Sequence, residues 1–158
     1  MASKKRETKV EDEPRQVATL QEVIEPNSGW FVEPDKVRMA IDLSTVDPNA
    51  APQWIEIKKE LTYAESQALR SAGLKSMKRN ADDESTEIGI DYARFDQAKL
   101  EMWLVEWSLR DRNDKPVKLN RFSIDHMRPE VADVILAAID EHIEDRERLK
   151  KAMSTSNG

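Results

Sequence analysis

Apolar positions along this chain change period several times, and the longest helical run lies between Tyr92 and Leu109. Tyr92, Phe95, Ala98, Leu100, Met102, Trp103, Val105, Trp107 and Leu109 recur at steps that fill most of a helical cylinder. Asp96, Lys99, Glu101, Glu106 and Arg110 leave only a narrow polar side, so this helix is expected to have neighbours on more than one flank. Further on, Val131, Val134, Ile135, Ala138, Ile139, His142 and Ile143 follow i, i+3, i+4 steps, with Asp133, Glu141, Glu144 and Asp145 on the other face. Pro129 suits the first position of that helix, where its missing N–H costs nothing, and Glu130 suits the first turn.

Period two appears nearer the N-terminus. Val37, Met39, Ile41 and Leu43 alternate with Arg38, Ala40 and Asp42. In the segment from Gln53 to Glu60, Ile55 and Ile57 share a face opposite Trp54 and Glu56. A loop bearing Pro48 and Pro52 separates these two strands, which are expected to pair antiparallel. A lone hairpin is marginal in water, so its apolar face must rest on helices or recruit further strands. Leu61-Thr62-Tyr63-Ala64-Glu65 is a helix start with Thr62 and Glu65 at capping-box spacing. That helix ends at Gly73 or runs on through Leu74 and Met77. Arg70, Lys75, Lys78 and Arg79 form a basic end, read as cations favoured at a helix C-terminus. Asn80 to Glu87 reads as a loop, Ile88 to Ile90 as a short extended lead-in, and Asp91 as the N-cap of the core helix. Asp111 to Pro116 has the composition of a tight turn.

These elements predict a mainly α protein with a small antiparallel β-hairpin, an α+β chain whose helical core lies around 91–110 and 129–148. The expected layout is a disordered arm over 1–18, one domain over 19–149 and a flexible tail over 150–158. Leu20, Val23, Ile24, Trp30, Phe31 and Val32 are the apolar residues between the arm and the first strand.

The totals narrow the chemistry. The chain has 158 residues, with 35% charged residues and a net charge of -6. That balance opposes nonspecific nucleic-acid binding, which favours a basic surface. There is no cysteine, so disulfides and thiolate chemistry are excluded. No apolar run is long enough to span a bilayer. His126 and His142 lie too far apart in sequence to form a motif and lack zinc-site spacing, so each reads as a satisfied or exposed histidine. The serines lack a nucleophile elbow, and four glycines build no phosphate loop. The acidic residues of 80–87 lack calcium-loop spacing. No catalytic residue, metal ligand or cofactor is assigned. Surface contact remains, with Trp30, Phe31, Trp54, Trp103 and Trp107 as candidate partner contacts, each also readable as core. Arg70, Lys75, Lys78 and Arg79 are the candidate basic patch.

The order of motifs resembles a known family. A tryptophan-bearing strand runs into a helix start over Trp54-Ile55-Glu56-Ile57-Lys58-Lys59-Glu60-Leu61-Thr62-Tyr63-Ala64-Glu65. An aromatic helix ends in Trp107-Ser108-Leu109, then come the turn to Pro116 and Val117-Lys118-Leu119. Pro129-Glu130 opens a last helix containing Ile139, Asp140 and His142. This pattern, covering about residues 30 to 145, resembles the tail assembly chaperones of long-tailed bacteriophages with non-contractile tails. The resemblance implies a small non-enzymatic protein of the infected host's cytoplasm. Such a protein binds the tape-measure protein, keeps its apolar helices soluble, helps recruit tail-tube subunits and leaves before the virion is complete. It carries no binding residues across, and self-association is compatible with it. A minor structural virion or connector protein and a small regulatory nucleic-acid binder are the other readings.

Overall fold

The computed structural model describes residues 31–79, 82 and 85–156, and those from Val32 onward form one unit. The expected arm over 1–18 and the segment up to Trp30 lie outside the described residues.

The alternating segments are strands, as their period requires. β1 (Lys36–Ile41) pairs antiparallel with β2 (Gln53–Lys58), with Val37 opposite Ile57 and Met39 opposite Ile55. This register puts every apolar residue of both strands except Ala40 and Trp54 on one face. The other face carries Arg38, Trp54 and Glu56. There the Arg38 guanidinium stacks 3.8 Å from the Trp54 ring centre and binds the Glu56 carboxylate at 2.7 Å. The capping box also forms. Thr62 Oγ1 accepts from the Glu65 amide at 3.2 Å and Glu65 Oε2 accepts from the Thr62 amide at 2.9 Å, opening α1 (Tyr63–Ala72). Burial pushes the Glu65 carboxyl up, but its bonds to Lys58 and Thr62 outweigh that and hold it below the usual range.

Of the two endings open for α1, the earlier one holds. Gly73 caps the helix, and a Cβ there would lie 3.0 Å from the Phe95 ring. The chain then turns into β3 (Leu74–Arg79), which pairs antiparallel with β4 (Thr86–Ile90). A second hairpin therefore stands where a loop and a lead-in were expected. Its base is closed by the Asp91 amide donating to the Gly73 carbonyl at 2.8 Å. Asp91 caps the next helix as expected, accepting from the Arg94 amide at 3.1 Å.

The largest departure lies in the central helix. α2 spans Tyr92–Trp103 and stops there, with Leu104 already extended at φ -69° and ψ 134°. Leu104–Trp107 is β5, which pairs antiparallel with β2 and completes a three-stranded sheet of order β1-β2-β5. Trp103 and Trp107 thus do not share a helix. A bulge leaves Val105 unpaired, since Ile57 faces Leu104 while Glu56 faces Glu106. Leu104 and Trp107 consequently point to the same side as Ile55 and Ile57. The Asp111–Pro116 segment is a turn, with the Asp111 side chain accepting from the Asn113 and Lys115 amides. A short helix not foreseen, α3 (Arg121–Asp125), is capped by Asn120 and Ser123.

α4 (Pro129–Ser156) begins at its proline as expected and buries the predicted stripe, with Ile135 and Ile139 fully enclosed. The helix continues where a flexible tail was expected. Lys150, Ala152 and Met153 are good helix formers, and Ser154 and Thr155 each bond back to the Lys151 carbonyl at 2.8 Å. The core joins one face of the three-stranded sheet to α2, α3 and α4 through Ile41, Ile55, Ile57, Leu100, Trp103, Leu104, Trp107, Ile124, Ile135 and Ile139.

One charge enters this core region. Lys99 is buried, and its Nζ donates to Asp140 Oδ1 at 2.7 Å, tying α2 to α4. The Asp140 carboxylate is half exposed, so solvent screens the pair. Asp140→Ala is expected to cost about 1–2 kcal/mol because it leaves a sheltered ammonium without its partner. Lys99→Met, which keeps the aliphatic volume and removes the charge, should stay within about 1 kcal/mol of wild type. Urea melts of both variants measure the difference.

Candidate interaction surface

The predicted contact residues separate by burial. Trp103 and Trp107 are core residues, 6% and 7% exposed. The Trp107 indole N–H donates to the Val117 carbonyl at 2.7 Å, whereas the Trp103 N–H finds no partner among the described residues. Trp54 is half-buried under Arg38, and Phe31 is exposed. Trp30 lies outside the described residues. Trp103 and Trp107 therefore serve the core and leave little surface for a partner, while Trp54 lies on the opposite face of the sheet.

The basic cluster is divided as well. Only Arg70 sits in the last turn of a helix; Lys75, Lys78 and Arg79 belong to β3, so the helix-dipole reading fails for those three. Lys75 is the extra residue of a bulge, and Lys78 lies directly across from Glu87. A cross-strand opposite charge offsets part of this basic character. Both histidines are bonded to carbonyls. His142 Nε2 lies 2.9 Å from the Lys59 oxygen, with its ring edge-on to Trp103, and His126 Nδ1 lies 2.8 Å from the Phe122 oxygen.

Sequence patterning missed the surface where exposed apolar residues do converge. Leu74 pairs with Ile90 and Met77 pairs with Ile88 across the β3–β4 hairpin. Alternation puts Ile88 and Ile90 on one face of β4. The bulge at Lys75 reverses the phase of β3, so Leu74 and Met77 both join that face. The four residues are 47%, 64%, 55% and 51% exposed, and none belongs to the core. Ser76, Lys78, Glu87 and Gly89 occupy the opposite face. A Cβ at Gly89 would lie 2.5 Å from the Ser76 hydroxyl, so a larger residue there would have to turn that side chain aside. The hairpin is thus amphipathic, with its apolar side open to solvent. The alternation Ile88-Gly89-Ile90 was the available signal, short as it is.

No protein-family model, no curated protein and no solved structure matches the chain. The reading of the surface therefore rests on its own chemistry.

A cleft of about 220 Å³ lies between α1 and α2, lined by Ser71, Arg94, Gln97, Glu101 and Arg121 among others. Gln97, Glu101 and Arg121 pair with one another or with Asp125 of α3. Gln97 donates to Asp125 at 2.7 Å, and Arg121 lies 3.6 Å from Glu101 and 3.9 Å from Asp125. Among the described residues no group of histidines and carboxylates could hold a metal ion, and no helix is long and apolar enough to cross a membrane.

Proposed function

We propose that this protein is a tail assembly chaperone that covers apolar helical segments of a tape-measure protein during phage morphogenesis. The observation that carries this reading is the hairpin's open apolar face, built from Leu74, Met77, Ile88 and Ile90 on a folded unit whose own core is complete without them. A client helix laid on that face would exchange its water-exposed apolar stripe for these side chains, and the interaction would be reversible because the face is small. The chain's net charge of -6 would keep the loaded complex soluble and separate from its neighbours. The resemblance in motif order supports the same partner through the Trp54–Glu65 strand and helix start and the Pro129–His142 helix, although Trp107 closes strand β5 and not the aromatic helix. On this reading the chain works in the host cytoplasm, makes no bonds of its own and departs from the finished particle.

Co-expression with the tape-measure product of the same genome tests the proposal. The expected result is a soluble complex containing both chains, with the tape-measure product insoluble alone. Failure to bind it or to raise its solubility rejects the reading. Stoichiometric presence in purified particles would instead favour a structural virion component.

A further inference from the structure

The cleft between α1 and α2 carries a chemistry that client binding does not use. We infer that it binds a small oxyanion, the carboxylate or phosphate group of a compact molecule, between Arg94 and Arg121. Arg94, Gln97 and Glu101 recur at helical steps on one face of α2 and form one wall, with Ser71 and Ala72 of α1 opposite and Arg121 of α3 beside Glu101. Hydrogen-bond donors are left over in this cleft. Among the described residues the Arg94 guanidinium and the Ser71 hydroxyl have no partner. Arg121 meets Glu101 at 3.6 Å and Asp125 at 3.9 Å, beyond the roughly 2.7–2.9 Å of a charge-assisted bond, so its N–H groups remain free to donate. A planar guanidinium with free donors matches the paired oxygens of a carboxylate or phosphate. The sign of the charge agrees. The lining sets two guanidiniums against the single carboxylate of Glu101, a positive spot on a chain of net charge -6. The adjoining helix poles offset each other, because the end of α1 is joined to the start of α2 by the Asp91 amide bonding to the Gly73 carbonyl at 2.8 Å. Volume then limits the ligand. About 220 Å³ falls below the roughly 300–1,000 Å³ of sites for drug-sized molecules, so the cleft suits phosphate or a short dicarboxylate. Both arginines are exposed, and solvent screening keeps the affinity low, with a Kd on the order of 1 mM.

Amide chemical shifts of the isotope-labelled full chain, titrated with phosphate and separately with glutarate at constant ionic strength, test this. Saturable shifts should centre on Ser71, Gln97 and Arg121, and sodium chloride in place of either anion should give none. Arg94→Gln and Arg121→Gln should each weaken binding by about fivefold or more. Glu101→Gln removes the one carboxylate facing the anion and should tighten binding by about threefold, which a purely structural role for Glu101 would not produce. Arg148→Gln, on α4 beside Asp145, should leave it unchanged. All four positions are exposed, so the variants should keep the wild-type fold, and the same spectra report it. Saturation by either anion supports the site, and the tighter of the two shows whether a phosphate or a carboxylate is its natural group. Shifts that do not saturate by about 50 mM, shifts scattered over the surface, full affinity in Arg94→Gln or weaker binding in Glu101→Gln overturns it. None of these results bears on client binding, which the co-expression experiment measures.

Discussion

Trp107→Ala is expected to remove about 3–5 kcal/mol of folding stability, a large part of what a domain of this size possesses. The side chain is 7% exposed and sits opposite Ile55 on the central strand, where it joins the sheet to the helices. Truncation would open a cavity and remove the donor to the Val117 carbonyl, loosening the turn that returns from Asp111 to Pro116. Phenylalanine substitutions separate the two causes. Trp107→Phe keeps most of the volume but loses that hydrogen bond, so about 1–3 kcal/mol should go. Trp103→Phe loses an N–H that bonds to nothing among the described residues, and should cost about 1 kcal/mol or less. Denaturant melts resolve the series through midpoints at constant slope. A loss below about 1 kcal/mol for Trp107→Ala would remove it from the centre of the core.

The same residues show where the sequence could be read and where it misled. Strands β1 and β2, the Thr62–Glu65 box, the Asp91 cap, the Asp111 turn and the start of α4 at Pro129 are all local, and local chemistry announces them. The errors share one physical cause. A β-bulge adds a residue and puts positions i and i+3 on one face, as one turn of helix does. Leu104 and Trp107 flank the bulge at Val105, so the strand continues the helical rhythm of α2 and its pattern matches a helix. Leu74 and Met77 flank the bulge at Lys75, so the second hairpin looked like an extension of α1. What distinguishes these strands is their partners, Ile57 for Leu104 and Ile88 for Met77, and those pairings are long-range or cross an acidic loop. The candidate surface was obscured for that reason. Without the β3–β4 pairing, Leu74 and Met77 have no neighbours and the tryptophans are the more conspicuous candidates, although the fold keeps Trp103 and Trp107 for its core.

If the hairpin holds the proposed tape-measure helix, Met77→Glu combined with Ile88→Lys should weaken that binding by about 100-fold, roughly 3 kcal/mol at about 1.5 kcal/mol per lost apolar contact. The design follows from the hairpin's geometry. Met77 and Ile88 are direct cross-strand partners, so replacing both with glutamate would place like charges opposite one another and unravel the site under test. Glutamate on the basic strand β3 and lysine beside Glu87 on β4 instead attract across the ladder and relieve the charge already present on each strand. Both positions are more than half exposed, so thermal stability should stay within about 0.5 kcal/mol of wild type. Binding and stability therefore move independently in this variant, whereas in Trp107→Ala they fall together. A titration of the labelled client segment, paired with a melt, reads both quantities. Full affinity in a folded double variant would move the client away from the hairpin, leaving the sheet face around Trp54 and Arg38 as the next surface to probe.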